Sequence, residues 1–310
     1  MLGRYEEIIK ITKLQDINYL FRFAHPRYSY LNMKLKLLIF LSVCCMSASA
    51  QGLKTYTYKT IKDKALDLDV YSTPSGGKSP RPVIIFFHGG GLVTGNKSSL
   101  KNQCTFFADK GLIAITASYR LLGKNSPEAK DSVFKCIEDA KSAVRWVKLH
   151  ASELNIDTNT VILGGASAGG FLATQAALNG SINASGDNLS INTKPKALIL
   201  LNPAFTPTHR YGPDVLIFVN RQTPPSIVFY GENDKFKPGG MKYLEKLDTL
   251  KIKTDYWIAN HETHGYYSKP EWEKLTMQLA YNFLIEAKLL NGKMTEINNN
   301  IYASKPAFKN

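Results

Sequence analysis

The stretch Thr160-Val161-Ile162-Leu163-Gly164-Gly165-Ala166-Ser167-Ala168-Gly169-Gly170 decides the fold. Thr160 to Leu163 reads as a short apolar strand, and Gly169 to Leu178 as the helix that follows it. A serine between them occupies a sharp turn, and the flanking glycines remove the β-carbons that would clash in it. Such a turn lifts the Ser167 oxygen above the sheet, where the N-terminal amides of the next helix also point. The five-residue pattern alone is weak, because glycine, alanine and serine are common. Its position between a buried strand and a helix lends it weight; the competing reading is a small-residue strand–helix junction.

Working outward from this turn, strands alternate with helices. Val83 to Phe87 is apolar at every position, as in a strand buried on both faces. Leu112 to Ala117, Ala197 to Leu201 and Ser226 to Tyr230 read the same way, with Asp255 to Ala259 as a last strand. Between them, helices are predicted over Ser99–Asp109, Glu128–Leu154, Met241–Leu250 and Pro270–Leu289. The clearest is the second, where Val133, Cys136, Ile137, Ala140, Ala143, Val144 and Val147 form one apolar stripe at three- and four-residue steps. Tyr56–Tyr58 and Ala65–Tyr71 read as a leading hairpin, and Pro74–Pro80 as a turn-rich loop. This order implies an α/β domain: a mainly parallel sheet, helices on both faces and an antiparallel leading hairpin at one edge. Beyond Asn291 the polar tail shows no strong pattern.

Three further segments complete a reaction centre. His88-Gly89-Gly90-Gly91 follows the Val83–Phe87 strand. Consecutive glycines cost backbone entropy, which suggests amides that must approach something closely. The amides of Gly90, Gly91 and Ala168 are the expected oxyanion hole, a plain flexible loop being the alternative. His88 itself reads as structural. A serine needs a base, and the base an orienting carboxylate. Asp234 follows the strand ending at Tyr230, with Glu232 as the competing carboxylate; His264 follows the last strand, with His261 as the competing base. The order Ser167, Asp234, His264 is the one expected of an α/β-hydrolase.

On these residues the sequence resembles the α/β-hydrolase superfamily, and within it the bacterial carboxylesterases and lipases of the acetyl-esterase and feruloyl-esterase-like group. The likeness spans about Lys54 to Leu289 and includes Ser118-Tyr119-Arg120, Asp139, Ala143 to Trp146 and His264-Gly265. It implies the α/β-hydrolase fold, a nucleophile at Ser167, an acid at Asp234, a base at His264 and oxyanion donors at Gly90, Gly91 and Ala168. Two positions depart from it. Leu92 stands where relatives usually place tryptophan, and Ala166 where hormone-sensitive-lipase relatives have aspartate and cholinesterase-like relatives glutamate.

The termini and composition set the remaining expectations. Leu37 to Met46 is too short to span a bilayer, which takes about 20 residues. Preceded by Lys34 and Lys36 and followed by Ala48 and Ala50, it reads as a signal peptide, Met33–Ala50, cleaved before Gln51. Residues 1–32 then read as a misassigned upstream start. Lipid attachment at Cys44 or Cys45 is the weaker alternative, since Val43 is a poor match for such a site. The full chain of 310 residues carries a net charge of +14; residues 1–50 hold seven basic and three acidic groups, so the mature chain carries 32 and 22, a net +10. These lysines are scattered, with no basic stripe interleaved with aromatics, so nucleic acid is not an expected partner. The membrane is expected to be met only through the signal peptide. Cys104 and Cys136 remain after cleavage, as a disulfide of an exported protein or as two buried thiols.

The expected activity is that of an exported serine carboxylesterase, periplasmic or secreted. Only about twenty residues, Asn202 to Pro225, separate two of the buried strands, so no large cap domain is expected. A shallow site suits a short acyl group, acetyl or similar, on a carbohydrate or plant-derived alcohol. No metal or cofactor is expected. The competing readings are an arylformamidase-like amidase, a prolyl-oligopeptidase-like peptidase and, from another class, a non-catalytic binding protein on the same fold.

Overall fold

The computed structural model describes residues 52–74, 79–122, 129–206, 212–297 and 302–303. The expected upstream segment at 1–32 and signal peptide at 33–50 lie outside them. β1 (Gly52–Ile61) and β2 (Lys64–Ser72) form the expected hairpin, and β2 pairs antiparallel with β4 (Ile113–Ala117). From there β3 (Arg81–Phe87), β5 (Ile156–Ala166), β6 (Ala197–Leu201), β7 (Ser226–Gly231) and β8 (Thr254–Ala259) run parallel to β4 and to one another. The sheet order is β1-β2-β4-β3-β5-β6-β7-β8-β9 among the described residues, β9 being Tyr302–Ala303.

The unbroken apolar runs follow from burial on both sides. Along β3, Val83, Ile85 and Phe87 enter one core while Ile84 and Phe86 enter the other. The first core is closed by α2 (Ala129–Leu149), α4 (Ala168–Leu178) and α5 (Lys237–Thr249), the second by α1 (Lys101–Asp109) and α6 (Pro270–Glu286). Each of these side chains is withdrawn from water almost completely, worth about 1.5–3 kcal/mol apiece. The two cores also settle the cysteines. Cys104 on α1 belongs to one and Cys136 on α2 to the other, so the sheet lies between them. Both are buried free thiols. Burial pushes the Cys136 thiol up to about 12, which keeps it protonated and inert.

Several elements differ from the sequence expectation, three of them for a clear physical reason. The helix expected over 128–154 breaks at His150, and a separate turn α3 (Ala151–Leu154) ends at Asn155, whose φ of 53° is left-handed. The buried stripe continues through the break to Leu154, so periodicity alone does not reveal it. β5 starts at Ile156 rather than Thr160, because Asp157 to Thr160 are polar and largely solvent-facing although extended. The tail beyond Asn291 is not patternless: Thr295 is held by the Asn282 side chain, and Tyr302–Ala303 pair antiparallel with the edge of β8.

One edge of the sheet gathers the ends that matter. β3 runs into the His88 loop, β5 into Ser167, β6 into Asn202, β7 into Asp234 and β8 into His264. Ligands of parallel sheets bind at this carboxyl edge.

Candidate active site

Ser167 sits between β5 and α4 at φ 53° and ψ −117°, outside the regions a non-glycine residue prefers. Such a residue costs on the order of 1–3 kcal/mol and persists only where its surroundings hold it. Here its amide donates to Leu201 O at 2.9 Å, and its carbonyl accepts from Phe171 N at 3.1 Å and Ala204 N at 2.9 Å. The glycines are required by close approach. A β-carbon on Gly169 would lie 1.9 Å from the Phe87 carbonyl oxygen, and one on Gly165 would lie 2.3 Å from the Gly169 backbone.

The side chain of Ser167 meets His264, with Oγ 2.8 Å from Nε2. On the far side of the ring, Nδ1 lies 2.9 Å from Asp234 Oδ2. Asp234 is buried, and its other oxygen accepts from Phe236 N at 2.8 Å, so the carboxylate is held at both ends. With the Nδ1 hydrogen donated to the carboxylate, the Nε2 lone pair faces the serine hydroxyl. The Phe236 ring meets the imidazole edge-on at 4.9 Å. The loops carrying Asp234 and His264 are laced together by Asn233 N donating to Glu262 O at 2.8 Å.

The glycine loop lies beside this row of groups. Gly90 and Gly91 have φ of 115° and 63°, and the Val93 and Thr94 amides both turn back onto the Gly90 carbonyl. Among the described residues, the amides of Gly90, Gly91 and Ala168 are spent on no backbone acceptor. All three residues line the same cavity as Ser167 and His264. His88 is buried, stacks on Tyr119 at 4.3 Å, and receives the Tyr119 hydroxyl on its carbonyl at 2.8 Å. Burial holds its imidazole below the usual histidine range, so it stays neutral as a structural group. The neighbouring Arg120 is fixed in turn: its Nε donates to Asp139 Oδ2 at 2.6 Å, and Lys59 from β1 reaches Asp139 Oδ1 at 2.9 Å. This buried carboxylate ties the hairpin, the Ser118–Arg120 loop and α2 together beneath the site. The cavity measures about 620 Å³, and Leu92, Phe171, Phe205, Val215 and Phe236 make much of its wall apolar.

Comparison with known proteins places the chain among esterase-like sequences and folds. The profile of the BD-FAE family matches residues 68–200. Esterase LipI of Mycobacterium tuberculosis is 34% identical over 93 residues, covering 30% of this chain and 27% of that protein. The carboxylic ester hydrolase LipM of the same organism, described as probable, is 33% identical over 118 residues, covering 37% of this chain and 26% of that one. The matches thus span little more than a quarter of these curated relatives. Solved structures match over far more. Esterase 2 of Thermogutta terrifontis, phosphorylated by paraoxon, superposes with a TM-score of 0.70 at 28% identity, over 78% of this chain and 96% of that one. Its propionate-bound form gives 0.69 at 26% identity, over 78% and 97%. The chain has the α/β-hydrolase fold and is similar to carboxylesterases built on it.

Within this α/β-hydrolase, the two competing residues stand aside from the cavity and meet each other. Glu232 Oε2 accepts from His261 N at 2.7 Å and lies 3.3 Å from its Nδ1, with the His261 side chain 94% exposed. Neither lines the cavity. Leu92 takes φ 65° and is buried in the cavity wall. One residue of the site escaped sequence reasoning. Asn202, directly after β6, is fully buried and brings its amide nitrogen within 3.1 Å of His264 Nδ1 and 3.3 Å of Nε2. Its only sequence signal is a polar residue immediately past the carboxyl end of an apolar strand.

Proposed function

We propose that this protein is an exported serine carboxylesterase that removes short acyl groups, acetyl or similar, from carbohydrate or plant-derived alcohols. In this reading Ser167 is the nucleophile, His264 the base and Asp234 its orienting acid. The observation that carries it is the unbroken row Ser167–His264–Asp234, with contacts of 2.8 and 2.9 Å, opening on an apolar cavity edged by unspent backbone amides.

The mechanism follows from the chemistry of those groups. His264 takes the Ser167 proton as Oγ bonds to the ester carbonyl carbon, and negative charge passes to the carbonyl oxygen. The amides of Gly90, Gly91 and Ala168 stabilise that charge; losing one such donor typically costs on the order of 10²–10³ in kcat. As the tetrahedral intermediate collapses, the alcohol leaves with the proton from His264 and an acyl-serine remains. Water then repeats the cycle, giving its proton to His264 and its oxygen to the acyl carbon, and Ser167 recovers its hydrogen.

The substrate reading rests on volume. An acetyl group fills only a small part of a cavity of about 620 Å³, which leaves the aromatic wall for a bulky alcohol. The propionate-bound and butyrate-bound neighbour structures are of esterase 2, and they are consistent with short acids in this fold. Hydrolysis rates on nitrophenyl esters of two to twelve carbons, alongside acetylated oligosaccharides, test it. Acetyl to butyryl esters are expected to give the highest kcat/KM; a preference for ten or more carbons overturns the short-acyl reading. Export rests on the order of basic, apolar and small-residue segments in Met33–Ala50. Protein recovered outside the cytoplasm is expected to begin at Gln51, and accumulation of uncleaved chain in the cytoplasm contradicts it.

A further inference from the structure

Asn202 is held more firmly than a passive wall residue needs to be. Its amide donates to Phe229 O at 2.8 Å, and the next residue, Pro203, receives the buried Tyr230 hydroxyl on its carbonyl at 2.7 Å. Its φ of 37° lies in the left-handed region, which asparagine tolerates better than most residues. The segment Leu201–Ala204 therefore grips the Ser167 backbone at both its amide and its carbonyl, while its own Asn202 side chain lies on the imidazole. At the other end of that side chain, Oδ1 is buried without a hydrogen-bond partner.

The placement has a chemical consequence for the resting ring. Nδ1 gives its hydrogen to Asp234, and the Nε2 lone pair faces Ser167. An amide N–H held within 3.1 and 3.3 Å of both ring nitrogens repels the imidazolium formed next. An amide oxygen at the same point does the reverse: it attracts the imidazolium, both of whose nitrogens are donors. A half-turn of the Asn202 amide exchanges the two ends, which are alike in shape.

On the reading of His264 as the base, we propose that Asn202 is a positioning residue that presents its amide oxygen to the His264 imidazolium, fixing the ring and favouring its protonated form. Among the described residues, the other charged or titratable groups touching the ring or lining its cavity are Asp234 in direct contact, Lys235 beside Phe236, Tyr267 from the turn after Gly265, and Asp214. Asp214 is engaged in capping Leu216 N at 2.9 Å. Asn202 thus supplies the ring with a neutral, buried partner independent of Asp234.

Asn202→Ala and Asn202→Asp test this, the second keeping the side-chain shape and its tolerance of positive φ. In Asn202→Ala, kcat is expected to fall on the order of ten-fold with KM little changed, and the acid limb of the pH–rate profile to move down by about half a unit. In Asn202→Asp, the added negative charge is expected to move that limb up by about one unit. Movement of the limb to higher pH in Asn202→Ala overturns the proposal, because it makes the amide a donor to the ring. Unmoved limbs in both variants overturn it as well, leaving Asn202 a packing residue. The same titration is followed by NMR on the His264 ring protons in the Ser167→Ala background, where no turnover is needed. Midpoints that shift as stated in a protein inactive on every ester support this inference while rejecting the proposed function. Unmoved midpoints in an active esterase reject the inference alone.

Discussion

Replacing Ser167 with alanine is expected to lower kcat by about four to six orders of magnitude while leaving the fold intact. Alanine keeps the β-carbon at φ 53° and every backbone bond of the turn, so the change removes one oxygen and little else. The Ser167 Oγ is also the atom that His264 Nε2 faces at 2.8 Å, so its loss leaves the base with no proton to take. The thermal midpoint is expected within a few degrees of the parent, since a conservative change at the surface of a cavity costs about 1 kcal/mol or less. Labelling by a fluorophosphonate probe is expected to disappear in parallel. A variant that keeps more than a hundredth of the parent rate, or still takes the label, excludes Ser167 as nucleophile. A folded parent protein that never takes the label favours the binding-protein reading instead.

The second large effect is expected from Asp234→Asn, a change of nearly equal size. Asp234 holds Phe236 N with one oxygen and His264 Nδ1 with the other, at 2.8 and 2.9 Å. An amide group facing Nδ1 donates where the carboxylate accepted, and the ring responds by carrying its hydrogen on Nε2. In that tautomer Nε2 has no lone pair for the serine, and kcat is expected to fall by about 10⁴. Glu232→Gln is the matched control. Glu232 is engaged with exposed His261, and its loss is expected to leave kcat within a factor of about three. A hundred-fold loss in Glu232→Gln, or less than a ten-fold loss in Asp234→Asn, reverses the assignment of the acid.

These expectations come from different depths of the molecule. The turn around Ser167 is local: five consecutive small residues permit one backbone path, and Gly165 and Gly169 are required by approaches of 2.3 and 1.9 Å. The candidate partners were legible because each follows a strand of the parallel sheet, and the carboxyl ends of such strands share one edge. The choice of Asp234 over Glu232 and of His264 over His261 was harder. Each pair differs by two or three positions in one loop, and the structure separates them by burial and by the contact between the two rejected residues. The cysteines show the same limit. Both lie on apolar faces, and only the sheet between the two cores keeps Cys104 and Cys136 apart.

By itself the sequence determined the α/β order, the strained serine turn, the glycine loop and the leading hairpin. Those features are set by side-chain period and by backbone conformations that few residues can adopt. Tertiary structure alone decided that Asn202 lies on the base, that His150 breaks the long helix without interrupting its buried stripe, and that Tyr302–Ala303 return to the edge of β8. It also decided the size of the site, a cavity of about 620 Å³ with much of its wall apolar. Each of these depends on which surfaces meet when distant segments pack. A local pattern constrains a residue's own backbone, but it does not say what lies across the cavity from it.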